Sequence, residues 1–208
     1  MEHEASPTKQ RILDCAAELF ASKGFTETTI RNIANAVGLH GSSLYNHFAS
    51  KNDILEQILE DYSLQNAQAY LAKDIPSILR DDPSPGGILS CMQLEFPKGR
   101  ELYYLNVLNV LMQEQHRNDT IREFMSEQFI LRIEWNVLAV IQELKNLNII
   151  QQDTDADFWM KASSSIVYAF ASRRMLGIGD NAPGFTGRSM FDALWALYDQ
   201  MLRSCSIV

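Results

Sequence analysis

The chain has 208 residues, 46% hydrophobic and 21% charged, with a formal net charge of -8; this balance suits a compact body with a small appended module and excludes disordered and fibrous classes. No apolar run of about 18 residues is present, and the start Met1-Glu2-His3-Glu4 is acidic and polar, so neither a membrane span nor a secretory leader is expected and the cytoplasm is the expected compartment. Cys15, Cys91 and Cys205 are widely spaced without a Cys-x-x-Cys pair, which predicts reduced thiols rather than disulfides or a metal site.

Ser6-Pro7 is a helix-start signal, because Ser can accept an orphan N–H and Pro loses nothing at the first helical position. Ile12, Cys15, Ala16, Leu19 and Phe20 follow at helical spacing, and Gly24 closes the helix. Thr28 or Thr29 caps a second, short helix with Ile30, Ile33, Ala34 and Val37, ended by Gly38. A third is expected from Gly41 to Phe48, with Leu44 and Phe48 one turn apart on its buried side. Two short helices joined by a tight Gly-containing turn form a helix-turn-helix. Ser50-Lys51-Asn52-Asp53 has the form of a capping box and launches a long fourth helix through Ile54, Leu55, Ile58, Leu59 and Tyr62. Further on, 81–87 and 180–184 read as breaks. The stretches 101–115, 119–147, 155–176 and 188–204 are of helix length, and no run alternates as a strand would. The expected fold is all-α, with a three-helix DNA-binding domain over 6–52 and a helical bundle over 53–208.

Thr29-Ile30-Arg31-Asn32-Ile33-Ala34, then Val37-Gly38-Leu39, then Ser43-Leu44-Tyr45-Asn46-His47-Phe48, then Ser50-Lys51-Asn52-Asp53-Ile54-Leu55 resembles the amino-terminal signature of the tetracycline-repressor-like (TetR) family in order and spacing. The likeness covers roughly Thr8 to Leu55. Two positions depart from it: His40 stands where the family usually has Ser, and Ser42 where Gly is frequent. The resemblance implies a sequence-specific regulator of transcription, by default a repressor. It would bind an inverted-repeat operator as a homodimer and leave it when a small-molecule effector of unknown identity occupies the carboxy-terminal bundle. In a prokaryotic cytoplasm it would be associated with the nucleoid when bound to DNA.

The net acidity does not exclude double-stranded DNA as partner. Between Thr8 and Lys51 the bases Lys9, Arg11, Lys23, Arg31 and Lys51 meet only Asp14, Glu18 and Glu27, and most acids lie further along. The third helix should enter the major groove, presenting His40, Gly41, Ser42, Ser43, Tyr45, Asn46 and His47. By resemblance Thr29, Ser43, Tyr45, His47 and Lys51 are contacts, Lys51 to a phosphate. His40 and His47, without Cys or carboxylate neighbours at ligand spacing, do not form a metal site.

The segments 102–112 and 129–141 are apolar nearly all round and are expected to lie centrally. By resemblance they line an effector pocket, with Tyr103, Tyr104, Asn109, Met112, His116, Gln128, Trp135 and Tyr168 as candidates, and no cofactor is expected. The last two helices carry more aromatic surface than a thin bundle hides. Phe158, Trp159, Ile166, Phe170, Phe191, Leu194, Trp195 and Tyr198 are therefore expected in a dimer interface. One other reading is a DNA-bound structural or cell-cycle factor whose bundle contacts another protein. An enzyme is not expected, since no Gly-x-Ser-x-Gly, phosphate-cradling loop or His-Glu-x-x-His is present.

Overall fold

The computed structural model describes residues 7–71, 73–92, 99–175 and 190–207, without the side chains at 66, 68–71, 174, 175 and 191. The elements are α1 (Pro7–Lys23), α2 (Ile30–Ala36), α3 (Gly41–Leu44), α4 (Lys51–Leu71), α5 (Ile75–Asp81), α6 (Pro85–Met92), α7 (Glu101–Glu114), α8 (Asp119–Phe124), α9 (Leu131–Asn146), α10 (Ala156–Met175) and α11 (Met190–Cys205). Six residues of π-helix, Met125–Ile130, join α8 to α9. Among the described residues the fold is helical, with an isolated bridge between Ile150 and Ser206. No described helix is long and apolar enough to cross a membrane.

The chain divides into two compact units, Met1–Asn66 with Phe96–Met125, and Ala67–Glu95 with Ser126–Val208. The first is larger than the expected three-helix domain. Ile12, Leu13, Ala16, Ala17 and Phe20 of α1 are buried, a face too broad for the short α2 and α3 to cover. Helix α7 closes it with Tyr103, Tyr104, Val107, Val110 and Leu111. Helix α7 therefore belongs to the head rather than to the carboxy-terminal bundle. Arg100, just before α7, ties it to α1 and α4 by ion pairs to Asp14 (3.0 Å) and Asp61 (3.2 Å). Its guanidinium also lies 4.0 Å from the Tyr103 ring centre.

In the second unit Leu79, Ile88, Cys91, Val137, Val140, Ile141, Leu144, Trp159, Leu194, Tyr198 and Met201 form one core. Burial pushes the Cys91 thiol up to about 11, which keeps it protonated at neutral pH. Two helices here went unread in the sequence. Helix α5 is short, capped by Asp74 with Pro in its first turn, and α6 starts at Pro85, inside the stretch read as a break. Pro and Gly open that helix rather than interrupt one, because a first turn needs no N–H from Pro. The expectation that 129–141 lies centrally is corrected: Leu131, Trp135 and Leu138 are exposed on α9.

Candidate nucleic-acid interface

Each local signal of the helix-turn-helix resolves into a named bond. Gly24 and Gly38 take φ of +86° and +72°, left-handed values that favour glycine at a helix end. Thr29 caps α2: its hydroxyl accepts the Asn32 N–H at 3.1 Å, and the Asn32 side chain in turn accepts the Thr29 N–H at 2.9 Å. Arg11 donates to the Val37 carbonyl at 3.1 Å, satisfying the far end of α2 from α1. At the start of α4, Ser50 Oγ accepts the Asp53 N–H at 3.0 Å while Asp53 accepts the Ala49 N–H at 2.8 Å.

Helix α3 is shorter than the sequence suggests. Only Gly41–Leu44 is α-helical, and the chain turns through 45–47 before Phe48 is buried. Leu44 and Phe48 are both anchored in the core. The residues between them, Tyr45, Asn46 and His47, are consequently thrown outward, with Tyr45 57% exposed. A large aromatic held open to water beside two hydrogen-bonding side chains does not serve the core of the head. His40 and Ser42 are likewise exposed, and Gly41 and Ser43 are half-buried. His40 occupies the cap position of α3 without making a side-chain cap bond, so its imidazole is left for another acceptor or donor.

A groove of about 390 Å³ lies between α2 and α3, lined by Ile30, Arg31, Asn35, Leu39, His40, Gly41 and Tyr45. Arg31 and Asn35, one turn apart on α2 and both exposed, were absent from the expected contacts. Their i, i+4 spacing on the polar side of α2 was the available signal. Arg31 supplies this face with the positive charge that α3 lacks.

Lys51 departs from expectation. Its ammonium does not stand free for a phosphate but donates to the carbonyls of Phe25 (2.6 Å), Thr28 (2.8 Å) and Thr26 (3.2 Å). It also lies 4.4 Å from the Phe25 ring centre. Burial lowers its pKa below the ordinary lysine value, against an opposing pull from Glu114 and Glu27. Thr29 is exposed, but its hydroxyl is engaged in the α2 cap.

The eight candidate pocket residues do not form one described cluster. Tyr103, Tyr104 and Met112 are buried in the first unit, Asn109 is half-buried there, and His116 is exposed. Gln128 and Trp135, in the second unit, are exposed, Trp135 by 68%, and Tyr168 is half-buried. Trp135 thus faces water rather than an interior cavity, as a consequence of its place on the outer face of α9. Among the expected interface residues, Phe158 (56%) and Trp195 (48%) are open and Ile166 and Phe170 half-buried. Trp159, Leu194 and Tyr198 are corrected: they lie in the core of their own unit, where the Tyr198 hydroxyl meets Ser163 at 2.8 Å. The Phe191 side chain lies outside the described residues.

Residues 12–58 match the family model for bacterial regulatory proteins of the tetR family. The chain is similar to the HTH-type transcriptional repressor KstR2 of Rhodococcus jostii, 44% identical over 57 residues, which are 27% of this chain and 28% of that protein. The chain thus matches little more than a quarter of that relative's length. Across nearly the whole chain the likeness is one of fold. The structure of the ketosteroid transcriptional regulator KstR2 of Mycobacterium tuberculosis superposes with a TM-score of 0.63 at 16% identity, covering 99% of this chain and 98% of that one. A Saccharomonospora viridis protein solved in complex with choline gives 0.66 at 20%, covering 98% and 100%. Over residues 12–58 the chain is thus similar to bacterial regulatory proteins of the tetR family, and across nearly its whole length it shares the helical fold of solved regulators.

Proposed function

We propose that this protein is a sequence-specific DNA-binding regulator of transcription that represses as a homodimer and releases an inverted-repeat operator when a small molecule binds. The carrying observation is the reader itself: Tyr45, Asn46 and His47 project to water between the buried anchors Leu44 and Phe48. The reader's chemistry is hydrogen bonding rather than charge. His40, Ser42, Ser43, Asn46 and His47 suit base edges and phosphates, and Tyr45 suits a hydroxyl contact or a thymine methyl. Arg31 and Asn35, from the neighbouring helix, are added as contacts, Arg31 being apt for phosphate or guanine. A neighbour of the same fold was solved with choline, which supports a small organic molecule as the effector class.

Effector release requires unequal binding to two states. A hundredfold loss of operator affinity needs a coupling of about 2.7 kcal/mol. The test is selection of bound duplexes from fragmented host genomic DNA at near-physiological salt, followed by sequencing. An inverted repeat upstream of a few genes is expected, lost when Tyr45 and His47 become Ala. Since both side chains are exposed, the variant should unfold within about 0.5 kcal/mol of wild type. No enrichment by the effector-free protein would sink the apo-repressor reading and favour a ligand-dependent corepressor.

A further inference from the structure

We propose that Glu114, at the end of α7, is a positioning residue for the DNA reader: it holds the loop between α1 and α2 from one side while Lys51 holds it from the other. The inference rests on the reading of this head as a DNA binder. Glu114 is 7% exposed, and a carboxylate buried among the aromatic and aliphatic residues of α7 needs a partner. Its Oε1 accepts the Phe25 N–H at 2.9 Å. From α4, Lys51 takes the Phe25, Thr26 and Thr28 carbonyls. Both polar sides of one short loop are therefore bonded to side chains of opposite charge on two different helices. The loop is fixed internally as well: the fully buried Thr28 donates its hydroxyl to the Gly24 carbonyl at 2.8 Å. One residue later comes Thr29, the cap of α2, so loop position becomes α2 position and then reader position. Beside Glu114, Gln113 donates to the Ala21 carbonyl at 3.1 Å, so the last turn of α7 grips the end of α1 as well.

Without the carboxylate, the Phe25 N–H loses its acceptor and the loop gains alternative conformations. DNA binding must then select the competent one, and apparent affinity falls by its population. The sign of electrostatics runs the other way, because deleting a negative charge from a protein that binds phosphate tightens binding. Weakening therefore reports position rather than charge.

The experiment uses the full chain, the selected operator duplex and a scrambled duplex, with wild type, Glu114→Ala and Glu114→Gln. Glu114→Ala should weaken operator binding about tenfold, the factor corresponding to one orphaned buried donor, and leave the scrambled duplex unweakened. Glu114→Gln keeps an oxygen that can accept the N–H and should stay within about threefold of wild type. Amide exchange at Phe25 should quicken in the Ala variant and not in the Gln variant. Folded Glu114→Ala that binds the operator as wild type does, or that loses both duplexes equally, overturns the proposal. If Glu114→Ala does not fold, the Gln variant decides: fast exchange at Phe25 with unchanged operator affinity overturns it, and protected exchange with retained affinity supports it. Wild type that binds no duplex overturns the regulator reading itself, and this proposal with it.

Discussion

A lysine at the first turn of a helix near DNA has two outlets, a phosphate or a carbonyl. Lys51 takes the second, with three loop carbonyls within hydrogen-bonding distance. Charge-assisted bonds of this kind contribute about 1.5–3 kcal/mol, so Lys51→Met should destabilise the protein by roughly 2 kcal/mol in urea unfolding. The slope of operator affinity against salt should not change; a slope shallower by about 0.9 would mean that Lys51 neutralises a phosphate after all. There is also a pH signature. Burial lowers the Lys51 pKa in the folded state, so the unfolded chain holds the proton to higher pH. Stability then rises with pH across that alkaline interval, and Lys51→Met removes the rise. The sequence made the outward set at 45–47 legible because Leu44 and Phe48 bracket it at helical spacing. It could not show Lys51 folding back, since its acceptors lie 23 to 26 positions upstream and no local pattern records a contact of that range.

Several helix boundaries were legible from local caps. Gly24, Thr29 and Ser50 each mark an end through bonds made within four residues, and Pro7 opens α1. Helices α5 and α6 were missed for a related reason: their Pro and Gly residues mark first turns, which local pattern alone does not distinguish from a break. Two glycines test this in opposite directions. A Cβ on Gly87 would lie 1.7 Å from the Asp82 carbonyl oxygen, a clash that backbone movement alone can relieve. Gly87→Ala should therefore cost about 1–3 kcal/mol. A Cβ on Gly41, the first residue of α3, would meet nothing within 4 Å. Gly41→Ala reduces the freedom of the unfolded chain and favours the helix, and should stabilise by up to about 1 kcal/mol. A Gly87→Ala urea midpoint that does not fall would contradict the placement of α6, and a Gly41→Ala midpoint that falls would contradict the open first turn of α3.

For the whole molecule the question is what covers the open faces of α10 and α11. Each helix presents Trp159, Ser163, Leu194, Tyr198 or Met201 to its own core, yet each also carries an exposed aromatic, Phe158 and Trp195. Along the outer side of α10 lie Ala162, Ser165 and Ala169, and beside Trp195 lies Ala196, small side chains that let another helix approach closely. Sequence reasoning expected an interface on these helices from their excess of aromatic surface, but could not divide that surface between core and outside, because both faces are apolar. The expected occupant is a second copy. Sedimentation should give twice the 23.6 kDa chain mass for wild type, and the single-chain mass for Phe158→Glu combined with Trp195→Glu. Two heads on one operator bind with an effective concentration that a monomer lacks, so operator affinity should fall at least about a hundredfold in that variant. A variant that stays dimeric would place the interface elsewhere, and the exposed stripe of Leu131, Trp135 and Leu138 on α9 would be the next face to charge. A monomeric variant with undiminished operator affinity would instead separate dimerisation from operator recognition and leave the inverted repeat without a cause.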